Sequence, residues 1–119
     1  MFTCFIRYEI NEGQTDEFKE YARTWISLIE KYGGKHHGYF IPGSPEDSFP
    51  EAKFSFPGLG VEGPSNVAVA LFSFQSVEAY DVYRRDVIHD PECQRMTARF
   101  NSNMSFSKYE RNFLTPIFS

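Results

Sequence analysis

Residues Phe2 to Ile10 alternate, with Phe2, Cys4, Ile6, Tyr8 and Ile10 on one side and Thr3, Phe5, Arg7 and Glu9 on the other. That period of two predicts a strand with one wholly apolar face. After Asn11-Glu12-Gly13, the residues Phe18, Tyr21, Ala22, Trp25, Leu28, Ile29 and Tyr32 recur at three- and four-residue steps. This is the stripe of an amphipathic helix, with Thr15 placed to cap it, Asp16 and Glu17 suited to its positive end, and Gly33-Gly34 to stop it. His36 to Ile41 reads as a second strand, closed by Pro42-Gly43.

The segment 42–66 carries Pro42, Pro45, Pro50, Pro57 and Pro64 among several glycines, which excludes a continuous helix and disfavours an ordinary hairpin. Its apolar members Phe49, Phe54, Phe56 and Leu59 are too many for a freely solvated linker, so the loop is expected to pack on something. An arm over a sheet edge or a partner subunit is the plain reading, and a ligand-gating lid the alternative. Val67 to Phe74 is apolar at nearly every position rather than every second one, which implies a strand buried on both faces. Ser76 caps a helix carrying Val77, Tyr80, Tyr83 and Val87. Asp90-Pro91-Glu92 opens another, with a capping side chain, proline at the first helical position, and Cys93, Met96 and Phe100 following. Met104 to Phe113 completes the pattern as the last strand.

Two strand-helix-strand units in succession predict an α+β, ferredoxin-like βαββαβ protomer with its helices on one face of a four-stranded antiparallel sheet. In this order the last strand lies beside the first, and a register setting Arg7 opposite Glu110 also sets Glu9 opposite Lys108. The other sheet face is then bare, although the third strand reads as buried on both sides. A second sheet should cover it, so the expected assembly is a homodimer packed sheet against sheet.

Composition narrows the partners. The 119 residues, 41% apolar and 18% aromatic, suffice for one core, and a single domain spanning 1–119 is expected. A formal charge of −4 without clustered Lys and Arg argues against nucleic acid. Cys4 and Cys93 have neither CxxC spacing nor a framework count and read as buried free thiols. With Arg7 and Glu9 inside the first strand there is no basic-then-apolar leader, and no apolar run approaches the ~20 residues that span a bilayer. The expected setting is cytoplasmic, without membrane partners.

Candidate chemistry centres on His36-His37, the one concentration of groups that titrate near neutral pH. Adjacent strand residues point to opposite faces, so the two cannot form one two-pronged ligand. One of them, with Gly38 leaving space and Tyr39 or Phe40 beside it, could line a cleft between sheet and helices as acid, base or anchor. A structural strand histidine is the plainer reading. Rings with polar tips are dense, and Tyr8, Trp25, Phe40, Phe72 and Tyr109 are candidates to hold a flat apolar ligand, while core packing is the better reading for Trp25 and Tyr21, which sit on the helix stripe. Arg84-Arg85 reads as a solvated face, with contact to an anionic ligand as the alternative. His89, beside Asp86 and Asp90, has no HxH or HExxH spacing, so no metal site is expected, and haem, which asks for one proximal imidazole, remains a minor option through His36 or His37. There is no GxSxG, and Gly58-Leu59-Gly60 lacks the GK[ST] ending of a phosphate loop.

Several stretches together resemble the NIPSNAP family: TCFIRYEI at 3–10, EYARTWISLIEKYGG at 20–34, HHGYF at 36–40, FSFPGLG at 54–60, NVAVALFSF at 66–74 and YERNFL at 109–114. The resemblance spans essentially the whole chain and implies the dimeric α/β-barrel superfamily, hence the same protomer and sheet-to-sheet dimer. It carries no agreed catalytic residues and no defining reaction. Superfamily relatives include cofactor-independent monooxygenases, lactone isomerases, haem enzymes and stress proteins, and fold alone does not choose among them. The expectation is a dimer that holds a small apolar or aromatic molecule between sheet and helices. The alternatives are a cofactor-independent monooxygenase or isomerase using His36, His37 or Tyr39, and a non-catalytic dimer whose 42–66 loop binds a partner.

Overall fold

The computed structural model describes residues 1–118. Strand β1 (Phe2–Ile10), helix α1 (Thr15–Lys31), strands β2 (Lys35–Phe40) and β3 (Val67–Phe74), helices α2 (Val77–Val87) and α3 (Pro91–Asn103) and strand β4 (Phe106–Leu114) follow in that order. The strands form one antiparallel sheet in the order β2-β3-β1-β4, the ferredoxin-like arrangement expected from the element order. The register between β1 and β4 sets Arg7 opposite Glu110 and Glu9 opposite Lys108. Arg7 lies 3.5 Å from Glu110 and Lys108 3.8 Å from Glu9, and same-strand contacts of 3.7 Å (Arg7–Glu9) and 3.3 Å (Lys108–Glu110) close a square of alternating charge.

The core lies on the helix-covered face. Cys4, Ile6, Tyr8 and Ile10 of β1 pack with Phe18 and Ile29 of α1, with Phe72 and Phe74 of β3, and with Tyr83, Cys93 and Phe106. Phe18 is wholly buried and meets Tyr8 edge-on with ring centroids 5.0 Å apart. Both cysteines are buried free thiols, and burial raises their pKa values. On β3 the helix-facing side chains shrink to Ala68 and Ala70, whose cross-strand partners are Tyr8 and Tyr39. Small residues beside large ones let those two rings approach to 6.0 Å across the sheet.

The helix ends follow their own chemistry. Helix α1 starts one residue before the position expected for its cap: Gln14 is the N-cap and makes no side-chain capping bond, and Thr15 is already helical. The turn that bonds Gln14 N–H to the Asn11 carbonyl sets this frame, and Asp16 and Glu17 complement the helix start by charge alone. At its other end Gly33 adopts φ +91°, the left-handed conformation that ends helices at glycine, and a Cβ on Gly34 would come within 2.7 Å of the Phe74 ring. Ser76 caps α2 by accepting from Ala79 N–H at 3.1 Å. Asp90 caps α3 with one carboxylate oxygen, accepting from Glu92 N–H at 2.9 Å. Its other oxygen accepts from Lys31 Nζ at 2.6 Å and Tyr32 Oη at 2.7 Å, tying α1 to α3. The bonds from Lys31 and Tyr32 pull this carboxyl down to about 2.

Segment 41–66 contains neither helix nor strand. The expectation that it packs is not met within the protomer, since Phe56 is 71% and Leu59 83% exposed. The radius of gyration is 16.1 Å, against about 13.5 Å for a compact chain of this length. The sheet's open face shows Phe5, Val67, Val69 and Leu71 half-buried and Phe40 and Leu114 exposed. No helix among the described residues is long and apolar enough to cross a membrane.

Candidate functional site

A cleft of about 230 Å³ opens between the sheet and the helices. Tyr21, Trp25 and Ile29 repeat at four-residue steps along α1 and form one wall. Ile6, Tyr8, Tyr39 and Phe72 form the floor from three strands, and Phe106, Tyr109 and Arg111 of β4 continue it. Tyr83 and Arg84 of α2 and Thr97 and Phe100 of α3 close the rest.

The polar side chains of this cleft are Arg84, Arg111, five tyrosines, Trp25 and Thr97. The Tyr8 ring lies 6.1 Å from that of Tyr21 and 6.0 Å from that of Tyr39, and burial, followed by the neighbouring phenols, holds all three well above the ordinary tyrosine range. Burial likewise raises Tyr83. These phenols are therefore protonated at neutral pH. The Trp25 indole N–H is buried without a hydrogen-bond partner. Arg111 donates from Nη1 to Tyr80 Oη at 2.7 Å, which leaves most of its five donors unused.

Of the residues singled out from the sequence, the structure brings together Tyr8, Trp25, Tyr39, Phe72 and Tyr109 around the cleft, and separates His36, His37 and Phe40 from it. A bulge in β2 turns Tyr39 to the helix side and Phe40 to the open face, while alternation alone turns His37 away from His36. The pairing steps from His36 opposite Phe72 to Gly38 opposite Leu71, so one extra residue is accommodated, with Gly38 at φ +114°. His36 falls on the helix side but stacks on Tyr39 at 5.0 Å, outside the cleft lining. Its Nδ1 accepts from Gly38 N–H at 2.9 Å, so the hydrogen-bond pattern assigns the proton to Nε2, which is buried and unpartnered. Burial lowers its pKa to about 4 and keeps the ring neutral. His37 instead joins Ser73 Oγ at 2.8 Å, and Ser73 joins Thr3 Oγ1 at 2.7 Å, in a chain on the side away from the cleft. Phe40, opposite Val69, stands 56% exposed on that same open face.

Because no histidine lines the cleft, its residues do not fit a haem held by a proximal imidazole. Among the described residues, no three His, Cys, Asp or Glu side chains gather as a metal site would require. Arg84 is exposed, as a solvated helix face requires, and unlike Arg85 it also lines the cleft. The spacing held the signal, for Arg84 is four residues from Tyr80 and seven from Val77, at the margin of the apolar stripe of α2. Arg111 was legible from the register, since pairing Arg7 with Glu110 places Arg111 opposite Ile6, on the core side of the sheet. Tyr21 and Trp25 pack against the core and also line the cleft, so core packing alone does not describe them.

No family model matches the chain, and no curated protein does. Solved structures do match. An uncharacterised NIPSNAP domain protein from Burkholderia xenovorans superposes with a TM-score of 0.69 at 20% identity, over 98% of this chain and 95% of the other. A NIPSNAP family protein from Agrobacterium tumefaciens gives 0.69 at 17% identity, over 98% and 85%. A Nitrosomonas europaea protein provisionally described as an antibiotic biosynthesis monooxygenase gives 0.57 at 10% identity, over 99% and 100%. At such identities the likeness establishes architecture: the chain has the α+β, ferredoxin-like fold of the NIPSNAP proteins, the family its residues resemble.

Proposed function

We propose that this protein is a NIPSNAP-like homodimer that holds a small apolar or aromatic molecule in the cleft between its sheet and helices. The observation that carries the reading is the lining itself: Tyr8, Tyr21, Trp25, Tyr39 and Phe72 offer flat apolar faces, and the unpartnered Trp25 N–H and the phenol hydroxyls offer a few oriented donors. Sites for small molecules combine these two features, whereas a closed core would pair its buried polar atoms. The dimer rests on the open face. Phe5, Val69 and Leu71 stay only half-buried at its centre, and the alternating charges of Arg7, Glu110, Lys108 and Glu9 give it a self-complementary flank. Burying each such apolar side chain against a second copy would contribute roughly 1.5–3 kcal/mol.

Native mass spectrometry of the protein as purified from cells, compared with its denatured mass, tests both parts. The expected result is a dimer carrying extra mass that disappears on denaturation. A dimer that stays bare, even after incubation with a library of small aromatic compounds, would contradict the binding reading.

A second reading, that the bound molecule is also transformed, draws on the similarity to the Nitrosomonas europaea protein and on the rings of Tyr21 and Tyr39 flanking that of Tyr8. In that reading Tyr39 is the candidate proton donor, since it alone of Tyr39, His36 and His37 lines the cleft. Turnover of an identified ligand that survives Tyr39→Phe unchanged would remove this role.

A further inference from the structure

We infer that the molecule held in this cleft is an anion: an apolar or aromatic body bearing a carboxylate, or an equivalent delocalised oxyanion, seated between Arg84 and Arg111. This rests on the cleft being a binding site, and it adds the ligand's charge and the place where that charge sits.

The first observation is a contrast among the arginines. Arg7, Arg23, Arg85, Arg95 and Arg99 each have a carboxylate within 4.0 Å. Arg84 and Arg111, the two that line the cleft, have none among the described residues. In a chain with formal charge −4 acids are plentiful, and every other arginine has found one. For Arg111, which is half-buried beside apolar surface, a guanidinium without a counter-charge is costly unless something completes it.

The second observation is the inventory of the walls. No Asp, Glu or His lines the cleft, whereas two guanidiniums, several phenol hydroxyls and the orphaned Trp25 N–H do. The guanidiniums and the indole can only donate, the phenol and Thr97 hydroxyls can donate as well as accept, and a carboxylate is the ligand group that accepts only. Both positive charges also reach the same floor: burial raises the Cys4 thiol and the Tyr83 phenol, and Arg84 and Arg111 oppose that shift at each. Arg111, half-buried and already fixed by Tyr80, is pre-organised for a bidentate contact. Arg84, exposed on α2, can close over the ligand from the mouth.

Trp25 is the only tryptophan in the chain and lines the cleft, so its fluorescence reports occupancy. The test titrates 3-phenylpropionate and its neutral analogue 3-phenylpropanamide against the intact protein and against Arg84→Gln and Arg111→Gln. Both compounds should quench Trp25, with the acid bound about tenfold or more tightly, as a charge-assisted pair provides. That preference should shrink as salt rises and collapse in each variant, while affinity for the amide changes little. Equal affinity for acid and amide would overturn the anion inference and leave the cleft reading standing. A preference that survives both substitutions would overturn it too, because the charge would be read elsewhere. Quenching by neither compound would overturn the cleft reading and the inference together. Arg84→Gln keeps the test valid if Arg111→Gln, which loses the Tyr80 bond, fails to fold.

Discussion

The two faces of the sheet solve opposite problems with the same four strands. On the helix side, the core residues Cys4, Ile6, Tyr8, Phe72 and Phe74 are nearly inaccessible and their rings meet edge-on or tilted at 5–6 Å centroid distances. That side is complete except at the cleft, where the Trp25 N–H has no acceptor among the described residues. On the open side, Phe5, Val69 and Leu71 remain half-buried between a square of charges and the hydrogen-bonded chain Thr3–Ser73–His37. The incompleteness differs in kind. A gap lined by rings and guanidiniums is suited to a small molecule, whereas a broad, flat apolar strip with satisfied polar edges is suited to another sheet. Adjacent histidines fall on either side of this divide: His36 is neutral and buried against Tyr39, and His37 is bonded on the open face.

The comparison is broken most severely by Phe18→Ala, which empties the centre of the helix side. Removing a wholly buried ring in contact with Tyr8, Tyr21 and Phe106 should cost about 3–5 kcal/mol in chemical denaturation. A loss below about 1 kcal/mol would mean that the core is not organised around this ring. Val69→Asp attacks the other side and should behave differently. The protomer should keep its circular dichroism, while self-association weakens by at least about a hundredfold, the scale expected when a charge is forced into a buried apolar contact. Unchanged association would place the dimer contact elsewhere.

A pH measurement sharpens the distinction between the histidines. His36 takes a proton near 6.5 in the unfolded chain and near 4 in the folded one. Between those values only the unfolded state gains the proton, so stability should fall as pH drops from about 6.5 to about 4, and this contribution should level off below. His36→Phe, which retains a ring on Tyr39, should flatten that limb, and a slope identical to the parent would show that other groups cause it. The smallest effect is expected at the strand edge. Reversing Arg7 and Glu110 singly and together should reveal a coupling of about 0.2–1 kcal/mol, because both side chains are substantially solvated. Strict additivity would show that the charges merely coincide.

Much of this architecture was legible because its signals are local. Alternation in 2–10, the capped Asp90-Pro91 start and the matched charges of Arg7 with Glu110 each depend on residues near one another in sequence or on one register. The site was less legible because it is assembled from several elements. An extra residue at the β2 bulge put Tyr39 on the helix side with His36, and Phe40 on the open face, and nothing in HHGYF alone shows where the bulge falls. Arg84 was obscured by Arg85, although helical spacing separates them by about 100° and so allows one to face the cleft while the other meets solvent. The exposure of Phe56 and Leu59 could not be read from composition, which reports that an arm is apolar and not what it touches.

Sedimentation velocity on the unmodified protein at micromolar concentration tests the division of labour most directly, because the open face has no role in this account without a second copy. A single species of twice the 13.8 kDa chain mass is expected. A single species of one chain mass, with the apolar strip left in water, would contradict it.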